Sequence, residues 1–197
     1  MQDPETSWIL QAQQGNSDAF AYLVEKYQRP VFNLCYRMLG NSEDAEDAAQ
    51  ETFLRSYHSI RRYDRNRSFG TWLLSIAAHY SIDQLRRRRY PIVSLDDLPV
   101  SDIPEKAPGI EDRLSDKETR ERIRALLDIL DPVDRAVVVL YYWYDLPYDE
   151  ISEILSLTIS ALKSRLHRAR RAMAAEWGNK NPEIAQQERM QHETSTI

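Results

Sequence analysis

The stretch "DEISEILSLTISALKSRLHRARRAMAAEW", residues 149–177, decides how this chain folds. Its opening "DEISEIL" reads as a short helix and "SLT" as a tight turn. From there Ile159, Leu162, Leu166, Ala169 and Met173 recur at steps of three and four, so a helix gathers them on one face. The opposite face carries Ser160, Ser164, His167, Arg168 and Arg171, with Lys163 and Arg165 on the flanks. No acid interrupts it between Thr158 and Glu176. A short helix, a turn and an amphipathic cationic helix make a helix-turn-helix. Long cationic side chains suit phosphate contacts, and the short Ser160, Ala161 and Ser164 let the helix start approach base edges. A solvated arginine-rich face is the ordinary reading of an isolated cationic helix. The preceding helix, the turn and the missing acids favour DNA.

This helix belongs to an acidic chain, with net charge −5 over 197 residues. The acids crowd into "SLDDLPVSDIPEKAPGIEDRLSDKE", and the bases into "RRYDRNR", "RRRRY" and the last helix. The net value therefore conceals a segregated pattern. Hydrophobic content of 42% and charged content of 29% are those of a globular protein, and five glycines with little β-branched alternation point to helices. The single cysteine, Cys35, excludes an intramolecular disulfide and suits a reducing cytosol. Its apolar context, "VFNLCYRML", predicts a buried side chain. No apolar run reaches the length of a membrane span, and the acidic, polar "MQDPETSW" is not a secretory signal. A cytoplasmic protein without membrane insertion is expected.

Upstream, Ser17 is positioned to cap a helix ending at Gly40, with Phe20, Leu23, Val24, Tyr27, Val31, Leu34 and Met38 on its buried face. Pro30 should kink or split it. Ser42 begins a second helix with acids in its first turns and Ala45, Ala49, Phe53 and Tyr57 as its stripe. Ser68 caps a third, which ends before Pro91. Prolines and acids then dominate, without core periodicity, and read as an extended linker. Helical pattern resumes with "LSDKETRERIRALLDIL", and Asp131 followed by Pro132 opens another helix. The expectation is an all-α protein of two small helical domains joined by an extended acidic linker. The bounds are 1–90 and 114–177, with the linker at 91–113 and a polar tail at 178–197. The C-terminal domain is the helix-turn-helix.

The first half holds a second basic element. "RRYDRNRSFGTW" interleaves Arg61, Arg62, Arg65 and Arg67 with Tyr63, Phe69 and Trp72. On the following helix Ser75, His79 and Asp83 share a face that continues to Arg86 and Arg87. Arginines neutralise phosphates and rings stack on unpaired bases, a combination suited to opened or single-stranded DNA. The competing reading makes Phe69, Trp72, Ile76 and Tyr80 core. No phosphate loop, dinucleotide fingerprint or HExxH motif is present, and the histidines His58, His79, His167 and His192 are scattered. Neither catalysis, nor a cofactor, nor a metal site is expected.

With these residues assembled, the chain resembles a bacterial sigma factor of the extracytoplasmic-function group in the sigma-70 family. The resemblance lies in "DAFAYLVEKY", "DAEDAAQETFLRSY", "RSFGTWLLSIAAHYSIDQLRRR", "LLDILDPVDRAVVVLYYWYDLPYDEISEIL" and "LKSRLHRARRAM", in the family's order across nearly all of residues 10–175. It implies a factor that binds core RNA polymerase, directs promoter recognition and opening, and initiates transcription of a specific regulon. It implies that Asp47, Gln50, Glu51 and Phe53 grip the coiled coil of the largest polymerase subunit, and that the flap region is a further contact. Arg61, Arg62, Arg65, Arg67, Ser75, His79, Asp83, Arg86 and Arg87 would contact the minus-ten element. Ser160, Ala161, Lys163, Ser164, Arg165, Arg168 and Arg171 would contact the minus-thirty-five element. An anti-sigma factor is a partner the resemblance allows. Three positions depart from the family: His79 stands where Asn is frequent, Ser156 replaces a turn Gly, and Ala161 replaces a common Thr. The alternative, a stand-alone helix-turn-helix regulator, leaves the first half and the linker unexplained.

Overall fold

The computed structural model describes residues 4–89 and 113–180, and among them every regular element is helical. The acidic linker, apart from residue 113, and the tail beyond residue 180 lie outside the described residues. Two helical groups follow one another. The first comprises α1 (Pro4–Gln13), α2 (Ser17–Leu39), α3 (Ser42–Ser59), a 3-10 turn (Ile60–Arg62) and α4 (Phe69–Arg89). The second comprises α5 (Arg113–Asp128), α6 (Pro132–Trp143), α7 (Tyr148–Leu155) and α8 (Ile159–Lys180).

Helix α1 was not foreseen. Its apolar residues make no clean stripe, so its periodicity is silent. It is a helix because Pro4 suits a first turn and Ile9 and Ala12 find burial against the rest of the group. Helix α2 is the axis of the first group, contacted by α1, α3 and α4. Leu23, Val31, Leu34, Cys35 and Met38 are fully buried along it, each large apolar side chain contributing about 1.5–3 kcal/mol on burial. Its cap is Asn16 rather than Ser17: the Asn16 amide oxygen accepts from the backbone of Asp18 at 2.9 Å and Ala19 at 3.1 Å. Asn41 likewise caps α3, accepting from Asp44 at 2.8 Å. Gly40 ends α2 at φ 86°, where a Cβ would also meet the Arg124 side chain. Pro30 does not split the helix, which runs unbroken through it and offers the Pro30 carbonyl to the Tyr144 hydroxyl. Packing on several sides outweighs the one backbone bond the proline removes.

Helix α6 is the core of the second group. Asp131 caps it, accepting from Val133 at 3.0 Å, with Pro132 in the first turn as expected. Ala136 to Leu140 are all fully buried, so α6 is apolar all round at this level. Helices α7 and α8 cover one side of it, and the other side packs on α2 and α4. The two groups therefore touch directly, whatever the course of the chain between them. Their seam is pinned by arginine. Arg135, only 4% exposed, donates through Nε to the Arg37 carbonyl at 2.9 Å and through Nη1 to Asp128 at 2.6 Å. Arg89 donates to the carbonyls of Leu130 at 2.5 Å and Asp128 at 3.2 Å. Burial works against the Arg135 charge, and Asp128 offsets it.

Burial also pushes the Cys35 thiol from 9.0 up to about 11, against the pull of the neighbouring Ser81 and Thr52 hydroxyls. The fold thus favours the protonated thiol. That stabilisation is complete below pH about 9 and is lost as pH rises toward about 11. Folded protein at neutral pH should leave Cys35 unreacted with a thiol-specific dye, and denaturant should expose it. Denaturant melts should show stability falling across the alkaline window, with a smaller fall in Cys35→Val.

Candidate nucleic-acid interfaces

The basic loop between the 3-10 turn and α4 is built on an aromatic floor. Tyr63 and Phe69 are buried, at 6% and 3% exposure, and their centroids lie 5.4 Å apart at 87°. Trp72 stands 4.8 Å from Tyr63, and Tyr27 lies 5.5 Å from Phe69. These rings are core, so the structural reading of them holds, and base stacking would need them displaced. The floor leaves Arg61, Arg62, Arg65 and Arg67 exposed above it. Asp64 folds the loop, its carboxylate accepting from the Asn66 backbone at 3.0 Å. Ser68 caps α4 as expected, accepting from Thr71 at 3.3 Å. One supporting residue was missed from the sequence. Gln13 at the end of α1 donates to the carbonyls of Ile60 at 3.0 Å and Tyr63 at 2.9 Å, bracing both ends of the turn.

Along α4, His79, Asp83, Arg86 and Arg87 are exposed on the outer face and Ser75 is half-buried. His79 Nδ1 lies 2.8 Å from the Ser75 carbonyl. A carbonyl only accepts, so the proton sits on Nδ1, and a neutral His79 presents Nε2 outward as a lone acceptor. The four terminal arginines divide by role. Arg86 approaches Asp83 at 3.9 Å and Arg87 is exposed, whereas Arg88 pairs with Asp44 at 2.5 Å and Arg89 pins the seam.

The helix-turn-helix forms from α7 and α8. Ser156 ends α7 at φ 53°, ψ 43°, the left-handed conformation that a glycine adopts freely. The Ser152 hydroxyl donates to the Leu157 carbonyl and tightens the turn. Thr158 accepts from the Ala161 backbone at 3.2 Å and starts α8. Leu162, Leu166 and Ala169 are buried, while Ser160, Lys163, Ser164, His167, Arg168 and Arg171 are exposed and Ala161 is half-buried. Two expectations change. Ile159 is 43% exposed, because the first turn of α8 projects past the end of its neighbours. Arg165 is not a free flank cation. Its Nη1 lies 2.6 Å from Asp134 of α6, and Asp134 also stands 3.8 Å from Arg168. Lys163 rests over the Tyr148 ring at 5.6 Å, and Arg170 covers Tyr141 and Tyr142 while donating to the Tyr142 hydroxyl at 2.8 Å.

On α3, Asp47 and Gln50 are exposed. Glu51 is paired with Arg55 at 2.7 Å, and Phe53 packs partly into the core. Leu54, which sequence reasoning passed over, is 55% exposed. It sits four residues after Gln50 and seven after Asp47, so one helix face holds all three. Among the described residues there is no group of side chains able to hold a metal ion and no helix long and apolar enough to cross a membrane.

Comparison with known proteins matches both groups. Residues 23–90 fit the family model "Sigma-70 region 2", and residues 120–173 fit "Sigma-70, region 4". The chain is 37% identical over 172 residues to the ECF RNA polymerase sigma factor SigW of Bacillus subtilis, covering 84% of this chain and 92% of that one. It is 34% identical to the ECF RNA polymerase sigma factor SigE of Mycolicibacterium smegmatis, covering 83% of this chain and 63% of that one. Among solved structures it resembles CnrH in complex with the cytosolic domain of CnrY, with TM-score 0.67, 25% identity, and 90% and 99% of the two chains covered.

Two substitutions test the helix-turn-helix. Leu166→Ala should cost about 2–5 kcal/mol, whereas Ile159→Ala should stay within about 0.5 kcal/mol. Ser156→Gly should raise stability by roughly 0.5–1 kcal/mol, the relief of a left-handed serine less the entropy of a new glycine. Denaturant unfolding measures all three.

Proposed function

The chain belongs to the extracytoplasmic-function sigma factors of the sigma-70 family, and on that premise we propose how its surfaces divide the work. It is a sigma factor, directing promoter-specific initiation of transcription. Residues 1–90 act as the domain for core polymerase and the minus-ten element, and residues 114–177 as the domain for the minus-thirty-five element. The observation that carries this division is the placing of two separate exposed arginine sets on one chain, one above the aromatic floor and one on α8.

On the first, Arg61, Arg62, Arg65 and Arg67 hold the phosphates of opened DNA, and the outer face of α4 from His79 to Arg87 continues the track. With Nε2 as its outward acceptor, His79 selects a base-edge donor where an Asn would offer both. On the second, Ser160 and Ser164 lie nearest the bases, and Arg168 and Arg171 hold phosphates. Arg165 acts chiefly by fixing α8 against α6 through Asp134. Asp47 and Gln50, with Glu51 held by Arg55, meet the coiled coil of the largest polymerase subunit, and Phe53 supports them from beneath. Promoter DNA and core polymerase place the protein in the cytoplasm. CnrH, a solved relative, is held by the cytosolic domain of CnrY, and RpoE of Bartonella quintana by the anti-sigma factor NepR. A protein inhibitor of that kind is a partner for this chain as well.

The decisive experiment is reconstituted transcription with purified core polymerase and mapping of start sites. Wild-type protein should initiate from a defined promoter class. Tight binding of a two-fold operator by the chain alone, with no response to polymerase, would favour a stand-alone regulator instead. Gln50→Ala combined with Glu51→Arg should weaken core binding in a pull-down while helicity stays normal. Arg171→Ala should leave stability within about 0.5 kcal/mol and lower the slope of log affinity against log salt by about one.

A further inference from the structure

Two acids of α7 sit on the basic loop. Glu153 Oε1 lies 3.1 Å from Arg67 Nε, and Glu150 Oε2 accepts from the Thr71 hydroxyl at 2.9 Å. Arg67 belongs to the arginine set above the aromatic floor, and Thr71 opens α4 beneath it. A carboxylate on a guanidinium occupies the place a backbone phosphate would take, with the same charge and the same hydrogen-bond chemistry. The helix that brings these acids is held firmly. Ile151, Ile154 and Leu155 are buried on its inner face, and α6 beside it is pinned to α2 by Arg135. Helix α7 packs on α4 and on α8 at once. It therefore ties the loop that handles the minus-ten element to the helix that handles the minus-thirty-five element. Across the same seam, the Tyr144 hydroxyl closes on Pro30.

We infer that α7 is a built-in mask: in the free chain Glu150 and Glu153 occupy the promoter-opening loop, and promoter DNA engages it only after α7 has left. The inference rests on the reading of that loop as a DNA contact. The two polar contacts are individually weak, because Arg67 and Glu153 are both substantially exposed. The apolar seam beneath supplies the hold, and the acids supply the competition with phosphate. Such a mask suits a protein that must ignore DNA until polymerase is bound. Polymerase contacts on both helical groups can draw them apart, which a single weak ion pair cannot resist.

The test uses the full chain with dyes on Gln28→Cys and Asn179→Cys, both exposed positions, while Cys35 stays buried. Energy transfer should be high in the free protein and fall when core polymerase is added. The variant Glu150→Gln with Glu153→Gln should bind a fluorescent single-stranded oligonucleotide of the mapped minus-ten sequence roughly three- to tenfold more tightly than wild type. Asp145→Asn with Asp149→Asn makes the same charge change on exposed residues, neither among the loop's partners, and should gain far less. Equal transfer with and without polymerase would overturn the mask. So would an unchanged oligonucleotide affinity in the glutamine variant, or an equal gain in the control. Wild-type holoenzyme that fails to transcribe would remove the sigma-factor reading itself, and that result is separate from the others.

Discussion

Burial of the apolar face of α2 is the constraint on which the rest of this structure depends. Leu23, Val31, Leu34 and Met38 must be covered along a helix of 23 residues. No single neighbour covers that length. Helices α1, α3 and α4 take most of the surface, and α6 closes what remains. The loop between α3 and α4 is therefore placed by packing on α2, through the contact of Tyr27 with Phe69. The arginines above it inherit a fixed platform from an apolar floor. Even the proline in α2 is tolerated on this account, since a helix held on several sides does not need every backbone bond.

Charge operates on top of that frame with a consistent division of labour. Arginines near the seam are structural: Arg88 meets Asp44, Arg89 meets backbone carbonyls, and Arg135 bridges α2 and α5 from α6. Arginines farther out stay exposed at Arg61, Arg62, Arg65, Arg87 and Arg171. Acids are used to set the boundary between these classes. Asp134 draws Arg165 inward and stands near Arg168, so the cationic face of α8 is narrower than its composition implies. The acidity of the chain is thus not opposed to nucleic-acid binding. It is how the cations reserved for DNA are kept distinct from those that hold the fold.

Much of the candidate site was legible in advance. The helix-turn-helix followed from the spacing of Leu162, Leu166 and Ala169, because helical periodicity is local. The cap at Asp131 and the stop at Gly40 followed from short-range chemistry. The unusual Ser156 was recognisable as a strained substitute for glycine, and its φ of 53° agrees. Less was legible where neighbours in space are remote in sequence. Helix α1 has too weak a pattern to announce itself, and with it went Gln13, the residue that braces the loop. Phe53 and Leu54 exchange their expected exposure, because the tilt of α3 on its neighbours decides which of two adjacent apolar residues faces inward.

The sequence by itself determined the helices, most of their ends, the amphipathic cationic helix and the family, since all of these reside in local periodicity and in ordered motifs. Only the tertiary structure decided which cations are free. Arg165 finds its acid 31 residues away on α6, and Thr71 finds Glu150 79 residues away on α7. It likewise decided that the two helical groups meet, through an α6 that is apolar on every side. The physical reason is common to both. An ion pair or a packed face is a property of two segments brought together by the burial of a third, and no window along the chain contains all three.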